Sequence, residues 1–289
     1  MKVKDSAGKM NPPKILIYGD AGSGKTAFAT TLGGRLEIID IDQGIRTALM
    51  LKDKWTDERG EVELKTAYEN DPSKAIAFDL VESYVNTAVG ECMVRKFPFR
   101  ALCVDSWTTL AEMAVRKVLA QNNMLGKNPQ IQHWGMAFTL LEGLLLKLRS
   151  LPIVVVLTAH IQRLEEDGVS KVVIATPGQK LPAKVPAYFD EIWRLKTRNA
   201  AGGKKEFIIQ TISSESVMAR SRGCLVDGTS VDLGLVEVLR RIGYDIDEAP
   251  GAPGAGAPKK ELESKAAVRP EGASTPKDQT TSTLKGQGV

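Results

Sequence analysis

The 289-residue chain is poor in cysteine, in aromatic side chains, in net charge and in long apolar runs. Its three cysteines, Cys92, Cys103 and Cys224, are odd in number and form no CxxC pair. That argues against a disulfide framework or a zinc site and for a reducing interior. The first thirteen residues are polar and lysine-rich, without the apolar core of a secretory signal. The longest apolar runs, such as Pro152 to Leu157, fall far short of the ~20 residues that span a bilayer. The expected location is therefore cytoplasmic, with no membrane partner. Net charge is only +4, and the six basic and four acidic side chains beyond Ala249 account for half of it. The remainder is nearly neutral, so charge alone does not mark a nucleic-acid binder, and any such contact must rest on local patches. There is no internal repeat.

Hydrophobic content of 43% suffices for a sizeable core. Three segments follow from composition. Residues 1–13 read as a flexible leader and 14–247 as one α/β domain. Residues 248–289 read as a disordered tail: a Pro/Gly/Ala run gives way to Lys, Glu, Ser, Thr and Gln with no aromatic, too little apolar surface to offset chain entropy. Within the domain, strands are expected at Lys14–Tyr18, Leu36–Asp40, Ala75–Leu80, Arg100–Asp105 and Pro152–Thr158. Helices are expected after Thr26 and over Ser83–Arg95, Thr108–Gln121 and Gln130–Arg149. Apolar strands separated by helices imply a mostly parallel sheet covered on both faces. Glu191–Arg198 and Glu206–Ile212, joined through Ala200-Ala201-Gly202-Gly203, predict a β-hairpin extending that sheet. Val231–Ile242 predicts a closing helix.

The most informative stretch is Gly19-Asp20-Ala21-Gly22-Ser23-Gly24-Lys25-Thr26, which satisfies G-x-x-x-x-G-K-[ST]. A buried strand precedes it and a helix follows, the context a phosphate-binding P-loop requires. Glycines let backbone N–H groups converge on phosphate oxygens, and the helix dipole favours the anion. Lys25 is expected to reach the β- and γ-phosphates of ATP and Thr26 to ligate Mg²⁺. A glycine-rich turn with a chance lysine is the plain alternative, disfavoured by the flanking elements.

A P-loop needs a second acid for the metal. Asp105, ending an apolar strand and followed by Ser106, suits that role; capping the next helix is the alternative, and Asp79 is a weaker rival. Asp40 and Asp42 lie at another strand end, where alternation puts both carboxylates on one face if the strand persists. Either could polarise water, or both could be turn acids before Gly44. His160 or Gln162, after the Pro152–Thr158 strand, could sense the γ-phosphate. His133, beside Trp134, reads as structural. Arg194, Lys196 and Arg198 alternate along one hairpin strand and share a face, with Lys204 and Lys205 near the turn. That face suits nucleic-acid or inter-subunit phosphate contact, and equally a charge-protected edge strand.

Taken in order, the P-loop, Ile38-Ile39-Asp40-Ile41-Asp42, Ala101-Leu102-Cys103-Val104-Asp105-Ser106, Val154 to His160, and Lys180-Leu181-Pro182-Ala183-Lys184-Val185-Pro186 leading into Phe189-Asp190-Glu191 resemble the phage-encoded AAA-type nucleotide-binding proteins. That group has a RecA-like core and includes single-strand-annealing ATPases. The resemblance spans Lys14 to Arg222. It implies ATP and Mg²⁺, a RecA-type sheet and a role in recombination or replication of phage DNA, hence the host cytoplasm. It places Asp42 where RecA-like ATPases carry a catalytic glutamate, one methylene shorter here, and Gln162 or His160 near the sensing position. Ile161–Ala187 then corresponds to the DNA-contacting loop region of recombinases. Arg163, Lys171, Lys180 and Lys184 are its phosphate contacts, with Arg194, Lys196 and Arg198 next. The expected partners are nucleotide, single-stranded DNA, further copies of the chain with ATP at subunit interfaces, and a protein for the tail. A P-loop small-molecule kinase, with Arg220 and Arg222 as lid arginines, and a nucleotide switch without efficient turnover are the other functions the motifs allow.

Overall fold

Lys14–Gly19 (β1) is buried along its whole length, and its side chains alternate between two cores. Ile15 and Ile17 enter one core, Leu16 and Tyr18 the other. A strand buried on both faces belongs in the middle of a parallel sheet, and the computed structural model places it there. The structure describes residues 11–46, 62–71, 73–166, 168–178 and 181–247. The leader up to residue 10 and the tail from 248 lie outside them.

The main sheet contains β1, Leu36–Asp40 (β2), Glu63–Thr66 (β3), Ala101–Asp105 (β4), Val154–Ala159 (β5), Glu191–Asn199 (β8), Lys205–Gln210 (β9) and the two-residue strands Arg220–Ser221 (β10) and Thr229–Ser230 (β11). Its order is β11-β9-β8-β1-β5-β4-β2-β3, with β10 also paired to β8. From β3 to β8 all pairings are parallel. The β8–β9 hairpin is antiparallel, as its turn residues predict. Helices Ala77–Met93 (α2), Trp107–Gln121 (α3) and Ile131–Ser150 (α4) cover the face carrying Leu16, Leu102 and Leu157. Lys25–Thr30 (α1) and Gly234–Arg241 (α6) cover the face carrying Ile15, Cys103 and Val156. The result is a RecA-like P-loop fold: β5 separates the P-loop strand from the strand ending in Asp105, and a C-terminal hairpin extends the sheet. All the parallel strands present their carboxyl ends at one edge, where α/β folds bind ligands.

Two expectations need correction. Ala75–Leu80 is not a strand; α2 already begins at Ala77. The Glu69 carboxylate accepts from the N–H groups of Ile76 (3.3 Å) and Ala77 (3.2 Å), which caps the helix start. Phe78, Val81, Val85 and Ala88 then recur at helical spacing on the buried side. The true third strand, Glu63–Thr66, is short and charged, as an edge strand should be. Nor is Ile161–Ala187 an irregular loop. It holds an antiparallel hairpin, Ile161–Glu166 (β6) with Val169–Ile174 (β7), and then the single turn Leu181–Lys184 (α5).

Lys14 anchors the start of β1. Its Nζ donates to the carbonyls of Leu151 (2.6 Å) and Ile153 (2.5 Å). Burial lowers its pKa from 10.5 to about 8, against the opposing pull of Asp190 and Cys92. The folded protein therefore binds fewer protons than the unfolded chain between those values, so this group makes stability rise with pH. The cost of the buried ammonium is full below about pH 8 and vanishes above 10.5. Relative to Lys14→Met, which cannot titrate, wild type should gain up to about 3 kcal/mol between neutral and strongly alkaline pH. Urea unfolding of both proteins across that range checks this; a pH-independent difference would contradict it.

Candidate functional site

The P-loop turn is built on glycines that a side chain would crowd or strain. A Cβ on Gly19 would stand 2.4 Å from the Leu195 carbonyl oxygen, and Gly22 and Gly24 have φ of +75° and +87°. Ser23 N–H donates to Asp20 O (3.1 Å), closing the turn. Gly24 caps α1 without a side-chain bond, so the first N–H groups of the helix are not claimed by a capping residue. The Ser23 hydroxyl is buried and has no partner. Lys25 is also buried, and its Nζ donates to Gly19 O (3.1 Å) and Asp20 O (3.0 Å). Burial lowers its pKa, while Asp105, Asp42 and Asp20 act to keep it charged.

Asp105 faces α1 rather than capping α3. Thr26 Oγ1 donates to its Oδ2 at 2.6 Å, and the Thr158 hydroxyl donates to Oδ1. Burial raises its pKa and Asp42 adds to the rise; the bonds from Thr158 and Thr26 and the charge of Lys25 oppose it. A buried carboxylate beside a threonine hydroxyl is the hard oxygen donor set Mg²⁺ prefers. Gly44 keeps the space over that pair open: a Cβ there would lie 3.6 Å from Thr26 Oγ1 and 3.9 Å from Asp105 Oδ2. Thr26 and Asp105 therefore fit a metal, and Mg²⁺ bound to them would neutralise charge on the β- and γ-phosphates.

Asp40 and Asp42 part company, because β2 ends at Asp40 and Gln43 takes a φ of 56°. Asp40 Oδ1 accepts from Gly44 N–H (3.2 Å) and is spent on the turn. Asp42 enters the cleft and accepts from Nε2–H of His160 at 3.1 Å. Burial acts to raise its pKa, but His160, Thr109 and Ser106 favour the carboxylate more strongly, so the net shift is downward. Its second oxygen, Oδ1, has no hydrogen-bond partner. That oxygen is buried, so an ionised carboxylate at this place can meet water only through the cleft-lining part of Asp42, where it can accept a proton.

These groups line one cleft of about 570 Å³: Gly22, Gly24, Lys25, Thr26, Asp42, Gly44, Asp105, Thr109 and His160 among them. Thr109 and Thr158 carried no signal in the sequence, although Thr109 lies in the first turn of α3, four residues after Asp105. Gln162 lines a different cleft, with Thr108, Glu112 and Trp134. Asp79 lies on α2 and pairs with Lys117 (2.6 Å), away from the P-loop. His133 completes the capping box of α4, its Nδ1 accepting from Gln130 N–H (3.0 Å).

Of the basic residues, Lys184 pairs with Glu142 (3.0 Å) and Arg198 with Glu206 (2.8 Å). Arg163 and Lys171 lie on the β6–β7 hairpin, Arg194 and Lys196 on β8. Lys180 lies outside the described residues. Arg220 donates to Pro186 O and Phe189 O, and Arg222 pairs with Asp190 (2.7 Å), so both hold the fold together.

A phosphate cradle, a hydroxyl–carboxylate pair for a metal and a second, ionised acid on neighbouring strand ends define a P-loop nucleotide-binding site of the ATPase type. The chain belongs to the AAA domain family, whose pattern matches residues 11–223. No curated protein matches the sequence. Among solved structures it is similar to a prototypical ATPase from the type III secretion system of pathogenic bacteria. Identity is 17% and the TM-score 0.39, over 67% of this chain and 56% of that one, so the chain spans little more than half of that protein's length. No helix among the described residues is long and apolar enough to cross a membrane.

Proposed function

We propose that this protein hydrolyses ATP with Mg²⁺ and does so on single-stranded DNA, in phage recombination or replication, as an assembly with nucleotide at subunit interfaces. The convergence of Lys25, Thr26, Asp105 and Asp42 in one cleft carries the first part. Lys25 exchanges its bonds to the Gly19 and Asp20 carbonyls for phosphate oxygens. Asp42, oriented by His160, positions water against the γ-phosphate and takes its proton. The phage setting rests on the resemblance of the ordered motifs.

The DNA reading is supported by connectivity. β6 begins at Ile161, directly after His160, the residue that holds Asp42. Thr108 Oγ1 accepts from His160 N–H (3.0 Å) and donates to Ala175 O (3.0 Å), tying together the two strand ends at the base of the hairpin. Nucleic acid that wraps the hairpin, meeting Arg163 on one face and Lys171 on the other, can thus shift the acid that activates water. The engagement of Arg220 and Arg222 in structural bonds speaks against a kinase lid.

Phosphate release with and without an oligonucleotide at low salt tests this. We expect DNA to stimulate turnover, and exchange of Arg163 and Lys171 for glutamine to remove the stimulation while basal turnover stays. Turnover indifferent to DNA refutes the DNA reading, transfer of phosphate to a nucleoside monophosphate supports the kinase, and tight binding without turnover supports the switch.

A further inference from the structure

The site as described holds the phosphates and leaves the rest of the nucleotide unplaced. Sheet order decides where it goes. Asp42 follows β2 and Asp105 ends β4, both on the β5 side of β1. They mark the γ-phosphate end. The P-loop follows β1, so the nucleoside must leave the cradle in the opposite direction, towards β8 and β9.

On that side stands Phe207. It lies on β9 opposite Thr197, two positions beyond the Leu195–Ile209 pair. Leu195 is itself paired with Gly19, the first residue of the P-loop. Leu195 and Ile209 point into the core beneath α1, and strand alternation puts Phe207 on the same face, one step further along. The ring therefore stands beside the start of α1, at the level of the cradle. A Cβ on Gly24 would come within 3.8 Å of Phe207 Cδ1, ordinary contact distance. The ring is half-buried, yet it belongs to neither hydrophobic core. The ring thus flanks the loop itself on the β8–β9 side, the side towards which the nucleoside leaves the cradle.

We propose that the Phe207 ring is the platform on which the purine base of the bound nucleotide stacks. The proposal rests on the reading of the P-loop cleft as a nucleotide site and adds the residue that receives the base. Phe207 pairs with β8, and the next two residues, Ile208 and Ile209, are paired on both sides, to β8 and β11, which fixes the ring's strand so that little order has to be imposed on binding. Stacking uses the π-face that every base has, so it adds affinity without selecting the base by its edge.

Calorimetric titration of the full chain with ATP, GTP and inorganic tripolyphosphate, each with Mg²⁺, tests this on wild type, Phe207→Ala and Phe207→Tyr. We expect Phe207→Ala to weaken ATP and GTP alike by about 5- to 100-fold, the factor one stacked base supplies. Tripolyphosphate binding should be unchanged, and Phe207→Tyr should bind all three as wild type does. Unchanged ATP affinity in Phe207→Ala would overturn the proposal, since the base would lie elsewhere. Equal weakening of tripolyphosphate would also overturn it, because the ring would then only be bracing Gly24. Wild-type protein that binds neither ATP nor tripolyphosphate would refute the nucleotide site itself and the base platform with it.

Discussion

Lys25→Ala folds and loses ATP turnover by about 100-fold or more, the cost of removing one preorganised charge from a transferring phosphoryl group. The variant should fold, because Lys25 makes only two bonds, both to carbonyls of the loop it closes. Those carbonyls belong to Gly19 and to the exposed Asp20, and Gly22 and Gly24 keep their turn without the lysine. The loss falls on function because the ammonium is the cation in the cleft among Asp20, Asp42 and Asp105. Thr26→Ala should show the same loss with a different signature, a raised Mg²⁺ requirement, since it removes the hydroxyl 2.6 Å from Asp105 Oδ2. Phosphate release measured against Mg²⁺ concentration, with thermal melting as the control for folding, separates the two. Wild-type turnover in Lys25→Ala would falsify the assignment of the cradle.

Asp42→Asn should spare ATP affinity and slow hydrolysis by about 100-fold or more, the range for loss of a positioned general base. An amide keeps the shape of the side chain and its contact with His160, but it cannot take a proton from water. A loss confined to turnover is what removal of an interaction made only in the transition state predicts. Asp40→Asn should not reproduce it: Asp40 spends its carboxylate on the turn at Gly44, so its loss should appear mainly as lower stability. His160→Ala should fall between wild type and Asp42→Asn, because it frees the Asp42 carboxylate without removing it. Kinetics under saturating ATP decide the matter. A dead Asp40→Asn beside a fully active Asp42→Asn would mean the other acid does the chemistry.

How much of this was written locally in the chain can be judged from particular elements. β1, β4 and β5 were legible because a strand buried on both faces is apolar throughout, and the P-loop was legible because its glycines and lysine are contiguous. Most of α2 was legible as the helix expected over Ser83–Arg95; its start was misread because Ala75–Leu80 is largely apolar over a length that suits either element, and the cap that decides it, Glu69, lies several residues upstream. The β6–β7 hairpin was read as a loop because its charged face obscures the alternation that buries Val172 and Ile174. The two candidate acids could not be separated from sequence because their geometry depends on where β2 stops. Had the strand continued, both would share a face; the turn at Gln43 sends one to a backbone N–H and the other to the cleft. The partner of Asp42 is 118 residues away, and only the adjacency of strand ends brings His160 to it. Gln162 illustrates the converse. It is two residues from His160, yet the chain has already turned into the hairpin, and its side chain faces a different cleft.

The central claim is that Lys25, Thr26, Asp105 and Asp42 form one Mg²⁺-dependent site of ATP hydrolysis. The most direct measurement is steady-state phosphate release by the purified wild-type chain with ATP, in excess Mg²⁺ and in excess EDTA. The site predicts turnover in Mg²⁺ that EDTA abolishes and added Mg²⁺ restores. Turnover that persists unchanged in EDTA, or ATP that neither binds nor hydrolyses in Mg²⁺, would contradict it.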